Sequence, residues 1–197
     1  MDVVSRSLSL SSLLTSTDVP SGEKELALNL AQELHKFLRT FDDGFLTKRV
    51  KALNNAILGF SKGDPEEFKS RSKKMRGYGE LLDKEFKAIM YELNDLFDKL
   101  SGIKDEELGK IKDNIFINAD NIIELLNQLR SMFDSPSAEF KTEVPQKLLS
   151  IITRGDDLKR IIREDLIGHL VTDIAGKKQT FARFEANRIM RRAAWRS

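Results

Sequence analysis

A run of basic residues in the first half of the chain has the composition of a phosphate-contacting surface. Five of the eight residues from 69 to 76 are Lys or Arg. Such side chains attract phosphate oxygens electrostatically, so the run favours an anionic partner or a nuclear-import-like patch. The same charges are equally typical of a solvated helix face. The run consists of Lys69, Arg71, Lys73, Lys74 and Arg76.

The end of the chain is basic, and the part before it is acidic. From Lys177 to Ser197 there are seven basic residues and one acid, a net charge of +6, whereas residues 1–176 carry a net charge of −4. This division predicts an anionic partner for the end of the chain, or the acidic face of a neighbouring subunit.

Motifs for enzymatic chemistry are scarce. There is no Gly-rich phosphate loop, no G-x-S-x-G and no H-E-x-x-H. The absence of Cys excludes disulfides, zinc fingers, iron–sulfur clusters and thiol catalysis. Arg163 and His169 have a spacing close to that of HEPN-type ribonucleases, but six helical residues turn through 240° beyond one full circle, so these side chains do not share a face. We predict that the protein is not an enzyme and has no metal or cofactor.

The composition indicates one globular domain made of helices. The chain has 197 residues, of which 40% are hydrophobic and 32% charged, with only 4 Pro and 11 Gly. No apolar run approaches the ~20 residues that span a bilayer, and residues 1–20 lack the apolar segment of a secretory signal. We predict a flexible N-terminal arm (1–20), a helical bundle domain (21–176) and a basic amphipathic C-terminal segment (177–197).

Apolar residues recur at intervals of three and four along most of the bundle domain, which predicts amphipathic helices. Ser21 is expected to cap the first helix, and 42–44 (Asp-Asp-Gly) to end it in an αα-hairpin with a second helix that reaches Phe60. Asp64 and Pro65 are a helix start signal, and 101–102 (Ser-Gly) a stop.

Further start and stop signals divide the second half of the domain. Asp105 opens a helix in which Asn118 falls on the apolar stripe, where it can fix the register of packed helices. Pro145 is expected to open a short apolar turn, and Gly155 to separate it from a last helix that ends at Gly176. The predicted fold is an all-α, antiparallel bundle of five or six helices, with a four-helix-bundle-like core and extra helices.

The last third of the chain resembles the coat proteins of rod-shaped plant viruses of the tobamovirus, tobravirus, hordeivirus and benyvirus types. The segment Arg154-Gly155-Asp156-Asp157 matches their R-x-D-D motif at the head of a long helix. Phe184-Glu185 follows 28 residues after Asp156, with Lys178, Phe181 and Arg183 shortly before it and Trp195 near the end. The resemblance extends over residues 153–195.

The resemblance implies a structural coat protein that assembles helically around single-stranded RNA, located in the virion or the host cytoplasm. Arginine contacts phosphate, and aspartates accept hydrogen bonds from ribose hydroxyls. The predicted subunit interface consists of Phe181, Phe184 and Trp195, and the predicted RNA-binding residues are Arg154, Asp156, Asp157, Lys178, Arg183, Lys73, Lys74 and Arg76.

Two other functions remain open. One is a soluble cytoplasmic interaction module (an adaptor, chaperone or effector) that binds a partner helix in a groove and no nucleic acid. The other is a small helical enzyme.

Overall fold

The computed structural model describes residues 21–60, 65–134 and 140–176, with the side chains of 59, 60, 65–74, 76 and 141 left out. Helix α1 (Ser21–Arg39) continues without a break into a π-helix (Thr40–Lys51) and α2 (Ala52–Phe60). We call residues 21–60 the first helical run. Helices α3 (Pro65–Leu100) and α4 (Glu106–Asp134) follow. The last helical run, residues 140–174, contains α5 (Phe140–Arg160) and two π-helical segments, Ile161–Ile167 and Leu170–Ile174.

These four helical stretches form an antiparallel bundle, and the described part of the chain contains no strand. Each stretch packs against the next, and the last run packs against the first, so the first run and α4 occupy diagonal corners. The apolar stripes fill the centre: Leu34, Phe41, Phe86, Ile122 and Leu166 are all fully buried. The predicted all-α bundle with a four-helix core is therefore confirmed.

The predicted αα-hairpin at residues 42–44 is wrong, because the helix continues through them. Phe41, Phe45, Leu46 and Val50 are buried at intervals of four and five residues, which suits the wider π-helix. The ring centroids of Phe41 and Phe45 lie 6.0 Å apart, and that of Phe86 lies 5.3 Å from Phe45. Packing of this aromatic cluster outweighs the local turn signal.

Two predicted breaks in the last third are also wrong. Pro145 lies inside α5, near its beginning, and Gly155 lies in its interior. Gly155 permits a close approach of two helices, because a Cβ atom there would lie 2.6 Å from Leu46 Cδ2. The predicted extra helices therefore merge into longer ones, and Asp156 and Asp157 do not begin a helix.

Asn118 does not fix the register of the bundle as predicted. It is half-buried, and its Nδ2 donates to the backbone oxygen of Asn114 at 2.8 Å in its own helix. Three other signals agree with the structure. Helix α3 begins at Pro65, Asp105 Oδ1 accepts the Leu108 N–H at 3.1 Å as an N-cap, and Gly176 ends the last run with a φ of 66°.

Candidate nucleic-acid interface

An open groove of about 640 Å³ lies between α4 and the last helical run. The two helices meet through buried residues such as Leu126 and Leu129 on α4 and Leu148 and Ile151 on α5. Polar residues one position away from these apolar stripes therefore reach the edges of the contact. The groove is lined by Asn121, Glu124, Leu125, Gln128, Lys147, Leu149, Ser150, Thr153, Arg154 and Asp157.

Arg154 and Asp157 of the R-x-D-D segment both line this groove. They are three residues apart in a helix, which places their side chains on one face. Arg154 is exposed and Asp157 is half-buried. Arg154 therefore offers a guanidinium to an anion, and Asp157 offers a carboxylate that accepts hydrogen bonds.

A direct hydrogen bond connects the two walls of the groove. Lys147 Nζ donates to Gln128 Oε1 at 2.6 Å, which joins α5 to α4. Glu124 Oε1, on the α4 wall, accepts from Gln128 Nε2 at 3.2 Å. The charged side chains of the lining are two cations, Lys147 and Arg154, and two carboxylates, so the groove offers paired charges rather than a basic surface.

Asp156 points away from the groove, unlike the other charged residues of the motif. Two helical residues turn through 200°, so Asp156 lies opposite Arg154. Its Oδ1 lies 2.6 Å from Lys159 Nζ, and that ammonium also lies 2.7 Å from Asp42 Oδ1 on the first helical run. The structure therefore divides the motif, with Arg154 and Asp157 in the groove and Asp156 in a contact between helices.

The other predicted RNA-binding and interface residues are not brought to this groove. Lys73, Lys74 and Arg76 belong to α3, which does not line it, and their side chains are not described. Lys178, Arg183, Phe181, Phe184 and Trp195 lie outside the described residues.

A second groove, of about 490 Å³, surrounds His169 near the beginning of α4. His169 Nε2 lies 3.1 Å from Asp105 Oδ1, and His169 Nδ1 lies 3.1 Å from Asp173 Oδ2. Both ring nitrogens therefore have carboxylate partners. Burial of Asp105 raises its pKa, but hydrogen bonds from the Leu108 N–H and from His169 outweigh this and hold that pKa below its ordinary value.

The ribonuclease-like pair does not converge in this groove. His169 lines it and Arg163 does not, which agrees with the expectation that the two side chains lie on different faces. Within the described ranges, no group of three or more His, Asp or Glu side chains is arranged to hold a metal ion.

Sequence reasoning missed Lys147, Asn121 and Gln128 as groove residues, and Lys159 as the buried partner of Asp156. The available signal was the position of these polar residues beside the apolar stripes of two helices that are consecutive in sequence. A polar residue beside an apolar stripe can be assigned to a groove only once the helix that packs against that stripe is known.

The chain has no match among protein-family models, curated proteins or solved structures. Within residues 21–60, 65–134 and 140–176, no helix is long and apolar enough to cross a membrane.

Proposed function

We propose that this protein is a structural coat protein that assembles helically around single-stranded RNA. The observation that supports this most directly is the shared position of Arg154 and Asp157 in one open groove. A guanidinium binds a phosphate through two parallel hydrogen bonds, and a carboxylate accepts from a ribose 2′-hydroxyl. The amides of Asn121 and Gln128 add donors and acceptors for base edges or ribose.

The charge balance of the groove suits an assembly more than a tight single-site complex. Lys147 and Arg154 are offset by Glu124 and Asp157, so one groove has no net positive charge. Phosphate contacts of this kind carry no sequence information. Weak, sequence-tolerant binding becomes strong when many copies on one strand are held together, because each further contact is effectively intramolecular.

The experiment measures RNA affinity on one matched pair of variants. Arg154→Ala removes the groove guanidinium, and Arg160→Ala removes an exposed arginine from the same helix outside the groove. With a fluorescent single-stranded RNA probe, we expect Arg154→Ala to weaken binding several-fold more than Arg160→Ala, at an unchanged melting temperature. We also expect Arg154→Ala to lower RNA affinity more than the replacement of any one of Lys69, Lys73 and Lys74, because the point charges of these lysines are interchangeable.

The behaviour of the protein during purification distinguishes a coat protein from a helical interaction module. A coat protein elutes in large assemblies with a high nucleic-acid absorbance, and negative-stain micrographs show elongated particles. A clean monomer or dimer free of RNA, with equal affinities for the two arginine variants, would contradict the proposal and favour the helical interaction module.

A further inference from the structure

Helix α4 carries an acidic stripe on the side that faces away from the bundle. Asp113, Asp120 and Glu124 are exposed and lie at helical spacing with Ile117, which is 61% exposed. Glu124 also lines the groove that contains Arg154. These exposed residues stand opposite the buried stripe that contains Ile115. Asp113 and Asp120 have no ion-pair partner among the described residues. We call Asp113, Asp120 and Glu124 the acidic stripe.

The first helical run carries a basic stripe on its own outward side. Lys36, Arg39 and Lys48 are exposed, and among the described residues none of them has an ion-pair partner. Asp43 is an acid on the same side. The π-helix between residues 40 and 51 turns Lys48 outward while Phe45 and Val50 remain buried. We call Lys36, Arg39 and Lys48 the basic stripe.

The two stripes face opposite directions. The first helical run and α4 occupy diagonal corners of the bundle, so their outward sides point away from each other. Two stripes of opposite charge on opposite faces cannot pair within one molecule. They can pair between two identical molecules placed side by side.

Contacts through α3 place the stripes at the same height along the bundle. Lys99 Nζ contacts Glu33 on the first run at 2.6 Å, and the ring of Phe97 contacts that of Phe116 on α4. At the other end, Glu85 pairs with Arg49 at 3.0 Å. Lys112 Nζ lies 5.5 Å from the centroid of the same Phe97 ring, and Arg130 pairs with Glu80 at 3.5 Å near the opposite end of α3. Residues 33–49 are therefore roughly level with residues 112–125 of α4, and each stripe extends along about 16 Å.

We propose that a second copy of this chain docks beside the first, with its basic stripe on the first copy's acidic stripe. The partner is an identical chain because both charge patterns belong to the same molecule and are in register along it. The contact uses different surfaces of the two copies, so repetition generates a ring or a helical filament. The inference rests on the self-assembly part of the proposed function and names its interface.

The test reverses one stripe at a time. Variant one carries Asp113→Lys and Asp120→Lys, and variant two carries Lys36→Glu and Lys48→Glu; none of these residues lines either groove. Sedimentation velocity at low salt should show association of each variant about tenfold or more weaker than that of the unaltered protein, because like charges then face each other. An equal mixture of the two variants should associate again, since each new face meets its complement in the other protein.

A control variant separates this contact from the effect of net charge. Glu92→Lys with Asp95→Lys makes the same change of net charge as variant one, at exposed positions of α3. It should associate like the unaltered protein. Helical circular dichroism and the melting temperature of every variant verify that it is folded.

Three results would overturn the inference: an unaltered protein that stays monomeric at every concentration, a mixture that does not associate, or a control that weakens association as much as variant one. Loss of RNA affinity by variant two with unchanged association would also overturn it, and would assign the basic stripe to RNA. Normal association without any RNA binding would refute the RNA-coating function and leave this interface standing.

Discussion

Lys159 Nζ lies 2.7 Å from Asp42 Oδ1, although 117 residues separate them in the chain. The Lys159 side chain is only 6% exposed, and Asp156 supplies a second carboxylate at 2.6 Å. This ammonium joins the π-helix of the first helical run to α5. The contact also explains why residues 42–44 do not form a turn, because the Asp42 carboxylate pairs with a cation on another helix.

The first prediction concerns the two carboxylates around Lys159. Asp42→Asn leaves Asp156 as a partner and should lower the free energy of unfolding by about 1–2 kcal/mol. Asp42→Asn with Asp156→Asn leaves the buried ammonium without compensation and should cost about 3–5 kcal/mol. Lys159→Met should cost less than the double variant, because the two aspartates are partly exposed and regain water. Denaturant unfolding measures all three, and an equal loss from the double variant and Lys159→Met would contradict this reasoning.

The second prediction concerns the close contact between Gly155 and Leu46. A Cβ at residue 155 would lie 2.6 and 2.8 Å from the two Cδ atoms of Leu46. Gly155→Ala should therefore lower the free energy of unfolding by about 1–3 kcal/mol.

Two further variants test the cause of that loss. Gly109→Ala is the matched control, because a Cβ there meets nothing within 4 Å, and it should stabilise the protein by about 0.4–1 kcal/mol. In the double-mutant cycle with Leu46→Ala, the double variant should lose less unfolding free energy than the sum of the two single losses. Additive losses would show that Leu46 is not the obstacle.

The third prediction concerns acid stability and Asp105. The pKa of Asp105 is lowered in the folded protein. Its contribution to the free energy of unfolding is therefore fully present above the pKa of the unfolded chain, 3.8, and is lost as the pH falls through the pKa of the folded protein. Asp105→Asn keeps an N-cap residue for α4 but removes the charge that faces His169. The difference in unfolding free energy between the two proteins should be constant near neutral pH and shrink below about pH 4.

The matching measurement is a series of denaturant unfolding curves at pH values from neutral down to acid, with both proteins under identical conditions. Glu106→Gln is a suitable control, since this exposed first-turn acid has no partner comparable to His169 among the described residues. A difference that grows with falling pH would show that the sign of the Asp105 effect is reversed.

The fourth prediction concerns the basic end of the chain. Deletion of Arg188–Ser197 removes four of the seven basic residues found from Lys177 onward. RNA binding or assembly should weaken, and the dependence of RNA affinity on salt should become flatter, because fewer counterions are released. The helical signal and the melting temperature should stay unchanged. Unaltered RNA retention and particle size in the shortened protein would limit this segment to a role in solubility.

The sequence by itself determined the fold class and several helix ends. Pro65 begins α3, Asp105 caps α4, and Gly176 ends the last run with a positive φ. These signals act within a few residues, through a fixed φ, a side-chain cap or the absence of a Cβ. The apolar stripes likewise depend only on helical periodicity. Local chemistry is sufficient for such features.

Only the tertiary structure decided which local break signals would act. Residues 42–44 and Gly155 are turn signals by composition, yet Lys159 contacts Asp42 and Leu46 packs on Gly155 across two helices. The tertiary structure also places Asp156 on the side opposite Arg154 and brings Lys147 and Gln128 to the same groove. Each of these outcomes depends on residues distant in sequence that meet once the bundle closes. Burial and ion pairing between helices then outweigh the roughly 1 kcal/mol preferences of single residues for a turn or a helix.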